Sequence, residues 1–177
     1  LLEHEPREPG SEEYLDSEKY QIRNWNLSGP DSLRHFIARI NRIRRDNPAL
    51  HDNRTLRFHS VQRDGIELEH MIAYTKSSAA APVTPTGRAI YAYEQFTPPP
   101  PGPDNNVILT VVNMDVQARH SGWVGLPLKE LGIDASRPYH VHDLLGDARY
   151  TWTGAWNYVE LDPAVVPAHI FRITQTD

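Results

Sequence analysis

The chain has 177 residues, 39% hydrophobic and 23% charged, a composition that suits a folded globular protein and excludes wholesale disorder. It has no cysteine, which excludes disulfides and thiolate metal sites and fits a reducing compartment. The net charge of −5 is local: residues 1–18 hold seven acids (Glu3, Glu5, Glu8, Glu12, Glu13, Asp16, Glu18) against Arg7, leaving 16 of the 23 acids and 17 of the 18 Lys and Arg in a balanced body. That balance offers no footprint for a phosphate backbone, so no nucleic-acid partner is expected. No apolar run approaches the roughly 18 residues that cross a bilayer, so no membrane span is expected either. The opening, LLEHEPREPG, reads neither as a secretory leader nor as a natural start, and the expectation is a piece of a larger protein.

Residues 1–27 are predicted to be irregular, because Pro6, Pro9, Gly10 and Ser11 interrupt any periodicity. Residues 30–47 are predicted to form one amphipathic helix, with Leu33, Phe36, Ile37, Ile40 and Ile43 at three- and four-residue spacing on one face. Ser28 or Asp31 can cap its start and Pro30 fits the first turn; Asn47 before Pro48 marks its stop, since proline disfavours the α region in its predecessor. The apolar stripe of such a lone helix has to be buried against something.

From about Thr55 the period changes to two. TLRFHSV, LEHMIAYT, RAIYAYEQF, NVILTVVNM, SGWVGLPL, RPYHVHDLL, WNYVEL and AHIFRI are short, β-branched and aromatic, and most are separated by Gly, Pro, Asn or Asp. The pattern predicts a mainly β fold, an antiparallel β-sandwich preceded by the arm and the helix. SAAAPVTPTG and TPPPPGPDNN read as connections at hairpin positions, the four prolines forming a stiff surface loop.

Motifs that could carry chemistry are sparse. There is no glycine-rich phosphate loop and no nucleophile elbow. His140 and His142 in YHVHD share one strand face with Asp143 following; they read either as a start of a metal site or as ordinary polar groups on a strand, with no third ligand indicated. Tyr150, Trp152, Trp156 and Tyr158 in YTWTGAWNYVEL read either as core fillers or as a platform for stacking on sugar rings. The acids of the arm are dense enough to supply a carboxylate pair, yet on an irregular segment nothing would hold two carboxyls in register or raise one pKa.

EEYLDSEKYQIRNW, the helix motif FIARINRIRRDNPAL, LRFH, and finally TWTGAWNYVELDP with PAHIFRI stand in an order that resembles the C-terminal part of bacterial maltosyltransferases of the α-amylase superfamily. Those enzymes use α-maltose 1-phosphate to extend α-1,4-glucans. The resemblance runs from about Glu12 to Ile173, and LDSEKYQIR and NYVELDP are its specific parts. It implies that residues 1–50 are the end of a catalytic (β/α)8 barrel, a loop arm plus its last helix, and that residues 54–177 are the C-terminal β-sandwich. It implies, too, that SEKYQ lies on a loop at the barrel's C-terminal face, where Lys19 and Tyr20 would contact the donor sugar at its non-reducing end. Glu18 beside them is a structural partner in that reading. The aspartate nucleophile, the glutamate acid/base and the third aspartate of the family match nothing in this sequence. The fragment alone is therefore expected to be inactive, the full-length enzyme to need no cofactor, and the TPPPPGPD connection to be a variable insertion. A cytoplasmic bacterial enzyme, homodimeric at full length, is what the resemblance implies. The alternatives are a non-catalytic glucan-binding module, or a purely structural sandwich, of another α-amylase-type enzyme.

Overall fold

A computed structural model describes residues 6–15, 22, 26–30, 32–78 and 105–175. The chain divides into two compact units, Leu1–Arg42 and Ile43–Asp177.

In the first unit the acidic arm closes on itself: Pro6 bridges Tyr14 in antiparallel fashion, and Arg7 Nη1 pairs with Glu13 Oε2 at 2.7 Å. That pair is exposed, so it orders the loop and adds little stability. Helix α1 spans Arg34–Asp46, shorter at its start than predicted. The reason is a turn before it, closed by the Ser32 N–H donating to Gly29 O at 3.1 Å. Ser32, rather than Ser28, caps the helix, its Oγ accepting from the Arg34 N–H at 3.3 Å; Asp31 lies outside the described residues. The stop falls where proline puts it. Asn47 is extended (φ −123°, ψ 100°), and its Nδ2 donates to Ile43 O at 2.8 Å, satisfying a carbonyl the helix leaves open. The apolar stripe is not covered along its length. Phe36 and Ile37 are 47% and 48% exposed, whereas Ile43 is buried.

The second unit begins at Ile43 because the helix end belongs to the sandwich. A 3-10 turn, Pro48–His51, follows the helix, with Ala49 buried and its N–H donating to Asn106 Oδ1 at 3.2 Å. Ten strands then run Arg57–His59 (β1), Val61–Arg63 (β2), Ile66–Glu67 (β3), Met71–Ser77 (β4), Val107–Asn113 (β5), His120–Gly125 (β6), Tyr139–Asp143 (β7), Arg149–Trp152 (β8), Trp156–Leu161 (β9) and Ala168–Thr174 (β10). Among the described residues they form two antiparallel sheets, six strands in the order β1-β4-β5-β10-β7-β8 and four in the order β3-β2-β6-β9. The mainly β, antiparallel architecture is the one the period-two pattern predicts. RAIYAYEQF lies outside the described residues. The strand expected across SGWVGLPL ends at Gly125, because Pro127 has no N–H to give a ladder; the chain turns there and seats Leu126, Leu128 and Leu131 in the core. The β2–β3 hairpin turns at Asp64–Gly65 with φ of 54° and 78°, the Asp-Gly signature of a type I′ turn.

Alternation sorts the side chains. Ala73, Leu109, Val111, Val141, Phe171 and Ile173 of the larger sheet meet Val61, Val124, Val159 and Leu161 of the smaller one in a single core. β5 is buried on both faces, since Ile108 on the outward face is also inaccessible. One polar network ties the sheets together. The Tyr139 hydroxyl donates to Gly154 O at 2.9 Å and accepts from Asn157 Nδ2 at 2.7 Å. Burial pushes the phenol up to about 12, against the opposing pull of Asn157.

His59 sits partly buried at the end of β1, its Nε2 2.7 Å from Thr75 Oγ1. Burial, then the charge of Arg57, pushes its imidazole from 6.5 down to about 4. The folded protein therefore holds the ring neutral while the unfolded chain takes up a proton first. Stability contributed this way is complete above about pH 6.5 and is lost progressively down to about pH 4. Urea midpoints recorded across that window should fall, and His59→Gln should flatten the fall; an unchanged slope would show that other groups titrate there.

Candidate functional site

Lys19 and Tyr20, with Glu18, lie outside the described residues. The two other candidate constellations fall in the described sandwich, and the structure divides each of them.

The YHVHD segment is β7. Its alternation places Tyr139, Val141 and Asp143 inward and His140 and His142 outward, so Asp143 does not join the histidine pair. Outward, the register lines up Arg172, His142 and Arg149 across β10, β7 and β8, with Thr174, His140 and Thr151 in the next row. His142 Nε2 meets Asp147 Oδ1 at 2.6 Å, while its Nδ1 is buried without a hydrogen-bond partner. The neighbouring carboxylate, Asp147, is engaged by His142, and arginines stand opposite His142 on both adjacent strands, a charge arrangement that repels a cation. Among the described residues no group of three His, Cys, Asp or Glu is placed to hold a metal ion.

Inward, Asp143 is a structural carboxylate. Its side chain is 4% exposed, Oδ2 accepts from His169 Nδ1 at 2.9 Å and from Gly146 N–H at 3.1 Å, and Oδ1 accepts from Leu145 N–H at 3.0 Å. Burial pushes this carboxyl up, but the bonds from His169, Leu145 and Gly146 outweigh it and hold the group below the usual carboxylate value.

The aromatic segment YTWTGAWNYVEL is split by sheet. Trp152 ends β8 in the larger sheet and is buried at 8% exposure, packed edge-on against Tyr139 (centroids 6.3 Å, 82°) and Phe171 (5.3 Å, 66°). Gly154, at φ 69°, turns the chain, and Trp156 opens β9 in the smaller sheet. Trp156 and Tyr158 point outward and are 47% and 51% exposed. Sequence reasoning missed their third companion. Trp123 on β6 stands opposite Tyr158 and is 50% exposed, with ring centroids 5.8 Å apart at 68°. The signal available was Gly-Trp-Val-Gly, an alternating strand with a large aromatic on the face opposite Val124. The cluster is therefore divided: Trp152 fills the core, whereas Trp156 and Tyr158 lie on an open face.

A family profile described as "GLGE, C-terminal" matches residues 63–173, from the end of β2 almost to the end of β10. The chain belongs to the GLGE C-terminal family. Relatives named α-1,4-glucan:maltose-1-phosphate maltosyltransferase agree with this. That of Chlorobaculum tepidum is 39% identical over 98% of this chain and 22% of its own length. Those of Methylacidiphilum infernorum and Corynebacterium glutamicum are 38% and 39% identical over 96% and 99% of the chain, and 21% and 22% of their own lengths. The chain thus spans about a fifth of the curated relatives it matches. The matched GLGE C-terminal region contains both the arginine–histidine row and the open aromatic face, while Lys19 and Tyr20 precede it. No helix among the described residues is long and apolar enough to cross a membrane.

Proposed function

We propose that this chain is the C-terminal portion of a maltosyltransferase that extends α-1,4-glucans from α-maltose 1-phosphate, and that by itself it is inactive. The observation that carries this is 39% identity, over 98% of the chain, to a protein bearing that name. In the full-length enzyme the division of labour would follow the resemblance: residues 1–50 complete a catalytic barrel and residues 54–177 form the sandwich that follows it. The reaction would be a retaining double displacement. A barrel aspartate attacks the anomeric carbon and phosphate leaves; a glutamic acid/base then takes the proton from the acceptor 4-hydroxyl as that oxygen displaces the aspartate. Lys19 and Tyr20 would supply a cation and a hydroxyl to the donor's non-reducing sugar. We read the full-length enzyme as a cytoplasmic homodimer.

Phosphate release from α-maltose 1-phosphate with glycogen tests the reading. The full-length protein should release phosphate and the 177-residue chain should not. Lys19→Ala and Tyr20→Phe in the full-length protein should lower kcat/KM by roughly 10- to 100-fold, the scale of a lost hydrogen bond to substrate. Absence of release by the full-length protein overturns the activity; release unaffected by either substitution overturns the site.

A further inference from the structure

We propose that the outward face of the four-stranded sheet is a docking site for an α-glucan chain, seated on Trp156, Tyr158 and Trp123. The proposal rests on the reading of the full-length enzyme as glucan-active and places a second contact with the polymer on the sandwich, in residues 54–177.

Three large aromatics, each about half exposed, share one face of a small sheet whose core is already filled. Their arrangement suits flat ligands. Trp156 lies opposite Gly125, and a Cβ built on that glycine would stand 2.8, 2.9 and 3.0 Å from Cη2, Cζ3 and Cζ2 of the indole. Near-equal distances to three consecutive ring atoms put that point over the ring's face, not beyond its edge. The indole therefore lies flat on the glycine backbone, with one face against the sheet and the other available above it. Two residues on, about 7 Å along the strand, Tyr158 packs edge-on with Trp123 across β6 and β9. The two aromatic positions can thus meet different sugar units.

The polar groups on this face choose among ligands. Glu160 follows Tyr158 on the same face, within 3.4 Å of the tyrosine hydroxyl and of Arg119, and lies opposite Ser121. Gln62 stands opposite Trp123, and Glu67 opposite Gln62. The Glu160–Arg119 ion pair and the carboxylate of Glu67 leave these groups with no net positive charge to hold a polyanion or an anionic membrane, and an apolar helix would strip them of water. A neutral polyol satisfies both parts, because pyranose rings offer apolar C–H faces to the indole and hydroxyl edges to Glu160, Gln62 and Ser121.

The test is a titration of the 177-residue chain with maltoheptaose, read from its tryptophan indole N–H resonances. The signals of Trp156 and Trp123 should move and that of the buried Trp152 should not. Trp123→Ala and Trp156→Ala should each weaken binding about tenfold or more, the scale of a lost stacking contact. Trp123→Ala serves as the variant that leaves Gly125 covered, and its circular dichroism melt should match the parent chain's. Unmoved resonances at millimolar maltoheptaose would overturn the proposal, as would resonances that move only with protein concentration, which would make the face an interface between copies. Phosphate release by the full-length protein together with no binding here would overturn this site and leave the proposed activity standing.

Discussion

Replacing Asp143 by alanine is expected to destabilise the sandwich by about 3 kcal/mol at neutral pH, the loss associated with stripping a buried charged acceptor from several donors. Three donors depend on this carboxylate: His169 Nδ1, Leu145 N–H and Gly146 N–H. They hold the turn between β7 and β8, where Asp147 adopts φ 63° and a Cβ on Gly146 would come within 2.7 Å of Asp143 Oδ2. Without the carboxylate the Leu145 N–H loses its acceptor in a buried position and the Gly146 N–H in a part-buried one. Urea unfolding of the 177-residue chain measures the loss. A change below about 0.5 kcal/mol would mean that the backbone bonds of the turn, Asp147 N–H to Asp143 O and Asp143 N–H to Ala148 O, both at 2.8 Å, suffice alone. The pH dependence has a definite sign. Because the folded carboxyl lies below its ordinary value, its contribution is complete above about pH 4 and is lost as pH falls through the folded value. The cost of Asp143→Ala should therefore shrink on acidification, in a window below the one assigned to His59.

Leu109→Ala should be costlier still, about 3 to 4 kcal/mol. Leu109 is inaccessible, is the third residue of β5, and is opposed by Thr75 on β4 and Phe171 on β10. Strands on both sides of β5 pin the backbone, so the sheet can collapse little into the space left behind, and the cavity term adds to the lost transfer energy. Ile37→Ala on the exposed side of α1 should cost under about 1 kcal/mol, since half of that side chain already faces water in this chain. Comparable losses at the two positions, measured by denaturant midpoints, would refute the division into a packed sandwich core and an open helix stripe.

The helix and most strands were legible because their causes are local. Leu33, Phe36, Ile37, Ile40 and Ile43 have the helical period, Pro48 forbids continuation through Asn47, and β-branched runs such as VILTVVN read as strand without any neighbour. The candidate donor contacts, Lys19 and Tyr20, were legible only through the family resemblance, because no local rule distinguishes them from a surface pair. The short edge strands β3 and β8 escaped, since few of their side chains are buried and little pattern is imposed on them.

What the sequence by itself determined was periodicity: which residues of one strand share a face. It could not say which face the other sheet would cover, or where the chain would change sheets. Trp152 and Trp156 are four residues apart and in phase for a single strand, yet one is core and the other surface, because the turn at Gly154 carries the chain from the six-stranded sheet to the four-stranded one. Trp123, distant in sequence, joins Tyr158 only through the register of β6 on β9. Pairing between strands is a long-range choice made by the whole core at once, and it decides which aromatics are buried and which stay exposed.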